Sequence, residues 1–245
     1  KMIELLNERK QIIINNAVTK GLDPNVKMKD SGVEWIGEIP EGWEVKKLKH
    51  VCQAFGRIGF RGYSTTDLVD EGDGCITLSP SNMRDGHMQY DKCTYLSWEK
   101  YEESPEIKIF DGDILFVKTG STYGKSSFVQ DLPQEATINP QLLVFKEVRC
   151  FNEFLAYILQ SNFIKNQVEV SVIGGTIPTI SQTKILNYVF PYPSIKEQKS
   201  IVLYIKEKSA PVNEAIKNAE RQISLLQERK QIIINEVVTG KVKVS

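Results

Sequence analysis

The chain has 245 residues, 41% hydrophobic and 25% charged, and its 31 basic and 31 acidic residues balance to a formal charge of zero. This composition reads as an ordinary soluble globular protein, and no run of 18 apolar residues exists to span a membrane. The balance gives no whole-chain sign of nucleic acid. The four cysteines, Cys52, Cys75, Cys93 and Cys150, form no Cys-x-x-Cys pair, and only His50 and His87 supply imidazole. No metal site or histidine triad is therefore expected, and the thiols suit a reducing compartment. No charged-then-apolar leader opens the chain, so secretion is not expected. The chain begins Lys1-Met2 inside a helical pattern, so either Met2 is a true start or the chain is cut from a longer protein.

Residues 1–20 read as a helix, and most of it recurs at the other end. Residues 3–19, IELLNERKQIIINNAVT, match residues 223–239, ISLLQERKQIIINEVVT, at 13 of 17 positions and a constant offset of 220. Such a stretch alone would be an amphipathic surface helix; its duplication implies a symmetric task. Ile3, Leu6, Ile13 and Ala17 set the phase, with Lys10 interrupting.

Residues 21–45 are rich in Gly, Pro and turn formers and read as a connecting segment, with Trp35 and Trp43 pinning it to the domain surface. Residues 46–195 read as one mixed α/β (α+β) domain, mostly sheet. Its β-type runs are 114–118, 126–130, 142–146 and 188–192. One helix is expected over 152–170, its stripe of Phe154, Leu155, Ile158, Leu159 and Phe163 facing the core. Residues 196–245 return to helix. Ser209 and Pro211 suggest a helix start, and Gly240 a stop. From there Val212, Ile216, Ala219, Ile223, Leu226, Ile233 and Val237 alternate spacings of four and three, with Lys230 interrupting, as in a heptad seam. Long helices of this kind make an antiparallel coiled-coil-like spacer that packs on itself or on partner helices.

Residues 51–195 carry a net charge of −5, which counts against a simple DNA-binding domain. Yet 45–66, 114–130 and 170–196 contain no acidic residue, and they hold many Gly, Ser and Thr. A phosphate backbone needs local positive charge and close-approaching amides, not a basic domain. The first stretch offers Arg57, Arg61 and Tyr63, the second Lys118, Ser121, Thr122 and Lys125 on a hairpin, the third Thr176 in a Gly174-Gly175 loop. The arginines are suited to guanine, the lysines to phosphate.

Other motifs fail on spacing. Gly120 to Ser126 has three residues between its glycines where a phosphate-binding loop needs four, and a strand follows where a helix is required. Asn139-Pro140-Gln141-Leu142 lacks the second proline and the aromatic of the amino-methyltransferase motif. Asp111 and Asp113 with Lys118 could suggest a nuclease pair, but Asp111-Gly112-Asp113 is more simply a turn.

Taken together, ELLNERKQIIINNAVTKGLDP, KDSGVEWIGEIPEGWEVKKLK, GDILFVKTGSTYGK, GGTIPTIS and FPYPSIKEQKSIVLYI with LLQERKQIIINEVVTGKV closely resemble, in order, the DNA-specificity subunit of type I restriction–modification enzymes. The resemblance implies target-recognition domains that each read half of a bipartite site, separated by helices that set the spacing and dock methyltransferase subunits. Those partners bind S-adenosylmethionine and methylate adenine, and a further subunit cleaves; the specificity subunit holds no cofactor and is not catalytic. The expected location is the prokaryotic cytoplasm. This chain has one recognition domain where a full subunit has two. It therefore resembles a C-terminal half or a half-length form, which would pair with a second copy. The alternatives are a helical adaptor without DNA contact, or a stand-alone DNA enzyme.

Overall fold

The computed structural model describes residues 1–172 and 177–239. In chain order, α1 (Met2–Lys20) precedes β1 (Met28–Asp30), β2 (Glu38–Pro40), β3 (Glu44–Lys47), β4 (Gln53–Gly56), β5 (Leu68–Val69), β6 (Gly74–Leu78), β7 (Met83–Arg84), β8 (His87–Met88) and β9 (Thr94–Ser97). Then come α2 (Trp98–Glu102), β10 (Ile114–Val117), β11 (Ser126–Phe128), β12 (Ala136–Ile138), β13 (Leu142–Lys146), α3 (Asn152–Leu159), α4 (Asn162–Ser171), α5 (Gln182–Leu186), β14 (Val189–Tyr192) and α6 (Ile195–Val238). The mixed, sheet-rich α/β class and the long C-terminal helix match the sequence reading.

The chain divides into two compact units: Asn15–Val202, and Lys1–Ile14 with the chain from Leu203. The larger unit holds a six-stranded sheet in the order β4-β13-β10-β11-β8-β7 and a four-stranded sheet in the order β12-β6-β9-β5. The central strands β10 (ILFV) and β13 (LLVFK) are unbroken apolar runs because both faces are covered, and nearly every residue of each is buried. Leu115, Val117, Leu142 and Val144 of one sheet share a buried cluster with Ile76, Leu78, Ala136 and Ile138 of the other. On the opposite face, Phe116 and Phe145 meet edge to face at 6.3 Å.

Three local expectations change. The segment 21–45 is folded into the larger unit: β1 pairs with β2, and β3 pairs with β14. Its turn formers serve hairpins. Ile39 and Trp43 are buried, whereas Trp35 is 41% exposed and lines a shallow surface pocket with Gln167, Val170 and Lys184. The expected helix over 152–170 is two helices. Ser161 breaks it, donating its hydroxyl to Ile158 O at 2.6 Å and accepting from Ile164 N–H. Asn162 N–H, left without an intrahelical acceptor, donates to Asn15 Oδ1 of α1 at 2.9 Å.

The C-terminal helix starts at Ile195, not near Pro211, which lies inside it. An interior proline costs about 3 kcal/mol; buried residues before it (Ile201, Val202, Ile205) and after it (Val212, Ile216) offset that cost. The 44 residues make a helix roughly 66 Å long at 1.5 Å per residue. Burial along the heptad seam is uneven. Val212, Ile216 and Ala219 are buried, whereas Ile223, Leu226, Ile233 and Val237 are exposed, Leu226 to 63%. In the first copy of the repeat Ile3, Leu6 and Ile13 are half-buried and Ala17 is buried. The same seam is thus partly covered in one copy and open in the other.

Candidate nucleic-acid interface

The fold brings the three acid-free stretches to one end of the six-stranded sheet. Antiparallel pairing sets Gly56 against Leu143 and Leu142 against Val117, so the end of β4, the start of β13 and the end of β10 coincide. The β10–β11 hairpin is then tied to the third stretch. Gly120 N–H donates to Pro178 O at 3.0 Å, Ile180 N–H donates to Lys118 O at 2.9 Å, and Thr119 bridges Thr179. Gln182 Nε2 donates to Ala54 O at 2.6 Å, joining the third stretch to the first.

At the centre stands Lys118. Its Nζ lies 3.3 Å from where a Cβ on Gly56 would be, and Leu143 Cδ2 only 2.7 Å from it, so glycine at 56 leaves room for both side chains. Among the described residues no acceptor or carboxylate contacts it. Burial alone, with no compensating negative charge, holds its pKa below the ordinary lysine value. The hairpin ahead of it is tight. Gly124 N–H donates to Val117 O, Tyr123 N–H to Gly120 O and Lys125 N–H to Thr122 O. Gly120 has φ of 106°, a conformation that side chains resist. Ser121 and Lys125 are exposed at the tip, and Thr122 is half-buried. These four expected contacts, Lys118, Ser121, Thr122 and Lys125, do lie together.

The arginines differ from expectation. Arg57 is 5% exposed and built into the interior. Its Nε donates to Ile138 O at 3.1 Å, Nη2 to Thr137 Oγ1 at 3.0 Å and Nη1 to Arg61 O at 3.3 Å, and its guanidinium lies 5.2 Å from the Tyr63 ring. Burial lowers its pKa, with Tyr63 and neighbouring acids opposing. Buried and donating from each of its three nitrogens, Arg57 is a strut between the loop after β4 and β12, not a surface group presented to guanine. Arg61 is partly exposed and paired with Glu106 at 3.3 Å, so it also meets DNA only by giving up a carboxylate. Tyr63 stacks on the strut. Thr176 lies outside the described residues.

The nuclease constellation does not assemble either. Asp113 Oδ2 pairs with Lys146 Nζ, and burial, partly opposed by that partner, raises its pKa. Asp113 and Lys118 flank opposite ends of β10. The sequence presents Asn139 and Gln141 only as a failed methyltransferase motif, yet Gln141 stands beside Gly120 and is hydrogen-bonded to Asn139. The turn links β12 of one sheet to β13 of the other, and β13 lies between the acid-free strands β4 and β10.

Known proteins resemble this chain along most of its length. Residues 40–225 match the family described as the type I restriction modification DNA specificity domain. The chain is 27% identical over its whole length to the type I restriction enzyme MjaVIII specificity subunit of Methanocaldococcus jannaschii, covering 56% of that protein. It is 26% identical to the putative MjaX specificity subunit of the same organism, covering 53% of it. In structure it resembles the HsdS subunit from Thermoanaerobacter tengcongensis, with a TM-score of 0.60 at 18% identity, covering 98% of this chain and 52% of that one. A chain from a structure on complex assembly and conformational transition of the type I R-M system gives a TM-score of 0.62 at 17% identity, over 96% of this chain and 53% of that one. The chain spans about half the length of the curated relatives it matches. With the family matched over most of its residues, this chain belongs to the type I restriction–modification DNA-specificity family.

Proposed function

We propose that the chain reads one half of a bipartite DNA site for a type I restriction–modification complex and is not itself catalytic. The observation that carries this is Lys118: a half-buried ammonium without a counter-charge among the described residues, set over Gly56 where three acid-free stretches meet. A folded protein keeps such a group at a cost, and a DNA phosphate supplies the missing charge. Lys125, Ser121 and Thr122 add donors on the same hairpin.

The helices supply spacing and assembly. The open half of the α6 seam, Ile223 to Val237, is the face on which a second copy seats, restoring two recognition domains about a two-fold axis and an inverted, interrupted target. Outward helix faces dock methyltransferase subunits, which carry S-adenosylmethionine, and through them the restriction subunit. This places the assembly with the chromosome, in the prokaryotic cytoplasm.

Selection of randomised duplexes on the purified chain, with and without its methyltransferase subunit, tests the reading. A recovered interrupted palindrome is the expected result. Failure to recover any motif even with the partner would favour the helical adaptor, and methyl transfer or cleavage by the isolated chain would favour an enzyme. Light scattering that finds only monomer at working concentration would remove the second copy from the scheme.

A further inference from the structure

The Asn139–Gln141 turn between β12 and β13 has no role in the interface so far. Its two side-chain amides orient one another. The backbone N–H of Gln141 can only donate, and it donates to Asn139 Oδ1 at 3.0 Å. Asn139 therefore turns Nδ2 outward, where it donates to Gln141 Oε1 at 3.1 Å. That settles Gln141 in turn: one lone pair of Oε1 is taken and the other is open, while both protons of Nε2 remain to be donated. Among the described residues no acceptor takes them. The amide stands beside Gly120, its Nε2 only 2.9 Å from where a Cβ there would lie. It is also firmly based, because the Gln141 carbonyl accepts from Lys118 N–H at 2.9 Å.

The geometry points to Gln141 as a specificity-determining residue that recognises adenine, an inference that rests on the DNA-reading role proposed above. In the major groove adenine offers an acceptor, N7, beside a donor, the N6 amino group. A carboxamide with one open acceptor position and a free donor matches that pair, and Asn139 acts as the positioning residue that keeps the amide from flipping. The division of labour is chemical: Lys118, directly hydrogen-bonded to the same backbone, holds phosphate and carries no sequence information, whereas the neutral amide discriminates.

Selection of randomised duplexes on the purified full chain at low salt, near ~50 mM to strengthen binding, reads the effect. Gln141→Ala is expected to lose preference for adenine at one position of the motif by roughly tenfold or more, with every other position kept. Gln141→Glu, offering acceptors only, is expected to move that position toward cytosine, whose N4 amino group donates. Asn139→Ala should blur the same position and no other. Unchanged melting temperatures verify folding. An unaltered motif in all three variants, or a uniform loss of binding with the motif intact, overturns the assignment and leaves the DNA-reading role standing. No motif from the unsubstituted chain overturns both.

Discussion

Replacing Lys118 by methionine keeps the length of the side chain and removes its charge. Burial holds the folded pKa of Lys118 below the ordinary 10.5, so the protonated form is less favourable in the folded chain than in the unfolded one. The penalty is complete at any pH below the lowered folded value and fades as pH rises toward 10.5. Lys118→Met removes it, and a substitution of this kind stabilises by about 0.5–2 kcal/mol. For a chain of this size about 1 kcal/mol raises Tm by roughly 2–4 °C. The effect on DNA has the opposite sign. One lost phosphate contact withholds about 0.9 of a counterion, worth about 1.2 kcal/mol or roughly eightfold in Kd near 0.1 M salt. Melting curves at pH 7 and pH 10, with fluorescence anisotropy on a non-specific duplex across a salt series, measure both. A gain in Tm that shrinks at high pH, with a salt slope smaller by about 0.9, is the expected pair. A lower Tm at pH 7, or an unchanged slope, would refute the reasoning that Lys118 is held unpaired for phosphate.

Arg57→Ala should cost about 3 kcal/mol in a urea melt, because Ile138 O and Thr137 lose a buried charged donor; a variant that melts normally but selects a different motif would return Arg57 to the DNA. Leu226→Asp with Ile233→Asp, both exposed, should leave Tm within about 1 °C yet abolish dimers in light scattering, whereas Ile216→Asp on the buried half of the seam should destabilise the monomer itself. With their pKa pushed up to about 12 by burial, Cys52 and Cys150 should resist iodoacetamide at pH 8, leaving half-buried Cys93 to react first by mass spectrometry.

What the sequence made legible follows physical lines. The apolar runs at 114–117 and 142–146 were readable because strands covered on both faces carry no alternation to blur them. The repeat was readable because it is literal. The hairpin from Lys118 to Lys125 was readable because its turn chemistry is local. Arg57 was not, since its partners Thr137 and Ile138 lie some eighty residues away, and an arginine in an acid-free stretch looks the same whether it faces solvent or the interior. The break at Ser161 was hidden in an unbroken apolar stripe, because Ser161 caps α4 without disturbing the spacing on either side. The merging of 21–45 into the domain depends on β14 arriving from residue 189, which no local pattern announces.

The internal use of Arg57 and Arg61 bears on how the proposed reader reaches useful affinity. With one arginine spent as a strut and the other on Glu106, Lys118 and Lys125 are the cations at the hairpin without a partner among the described residues. Two phosphate contacts at about 1.2 kcal/mol each supply roughly 2.4 kcal/mol near 0.1 M salt, far short of a specific complex. With residues 51–195 at a net charge of −5, the domain gains little further from its long-range field. Affinity must then come from joining domains: a second domain held by the α6 seam binds at an effective concentration set by the helices, and such linkage multiplies affinity by 10²–10⁴ without a new contact. Weak phosphate grip in each domain then favours specificity, because one domain on a chance half-site dissociates, and only two correctly spaced half-sites hold the pair. The exposed half of the seam and the scarcity of free cations at the hairpin are, on this argument, two sides of one design.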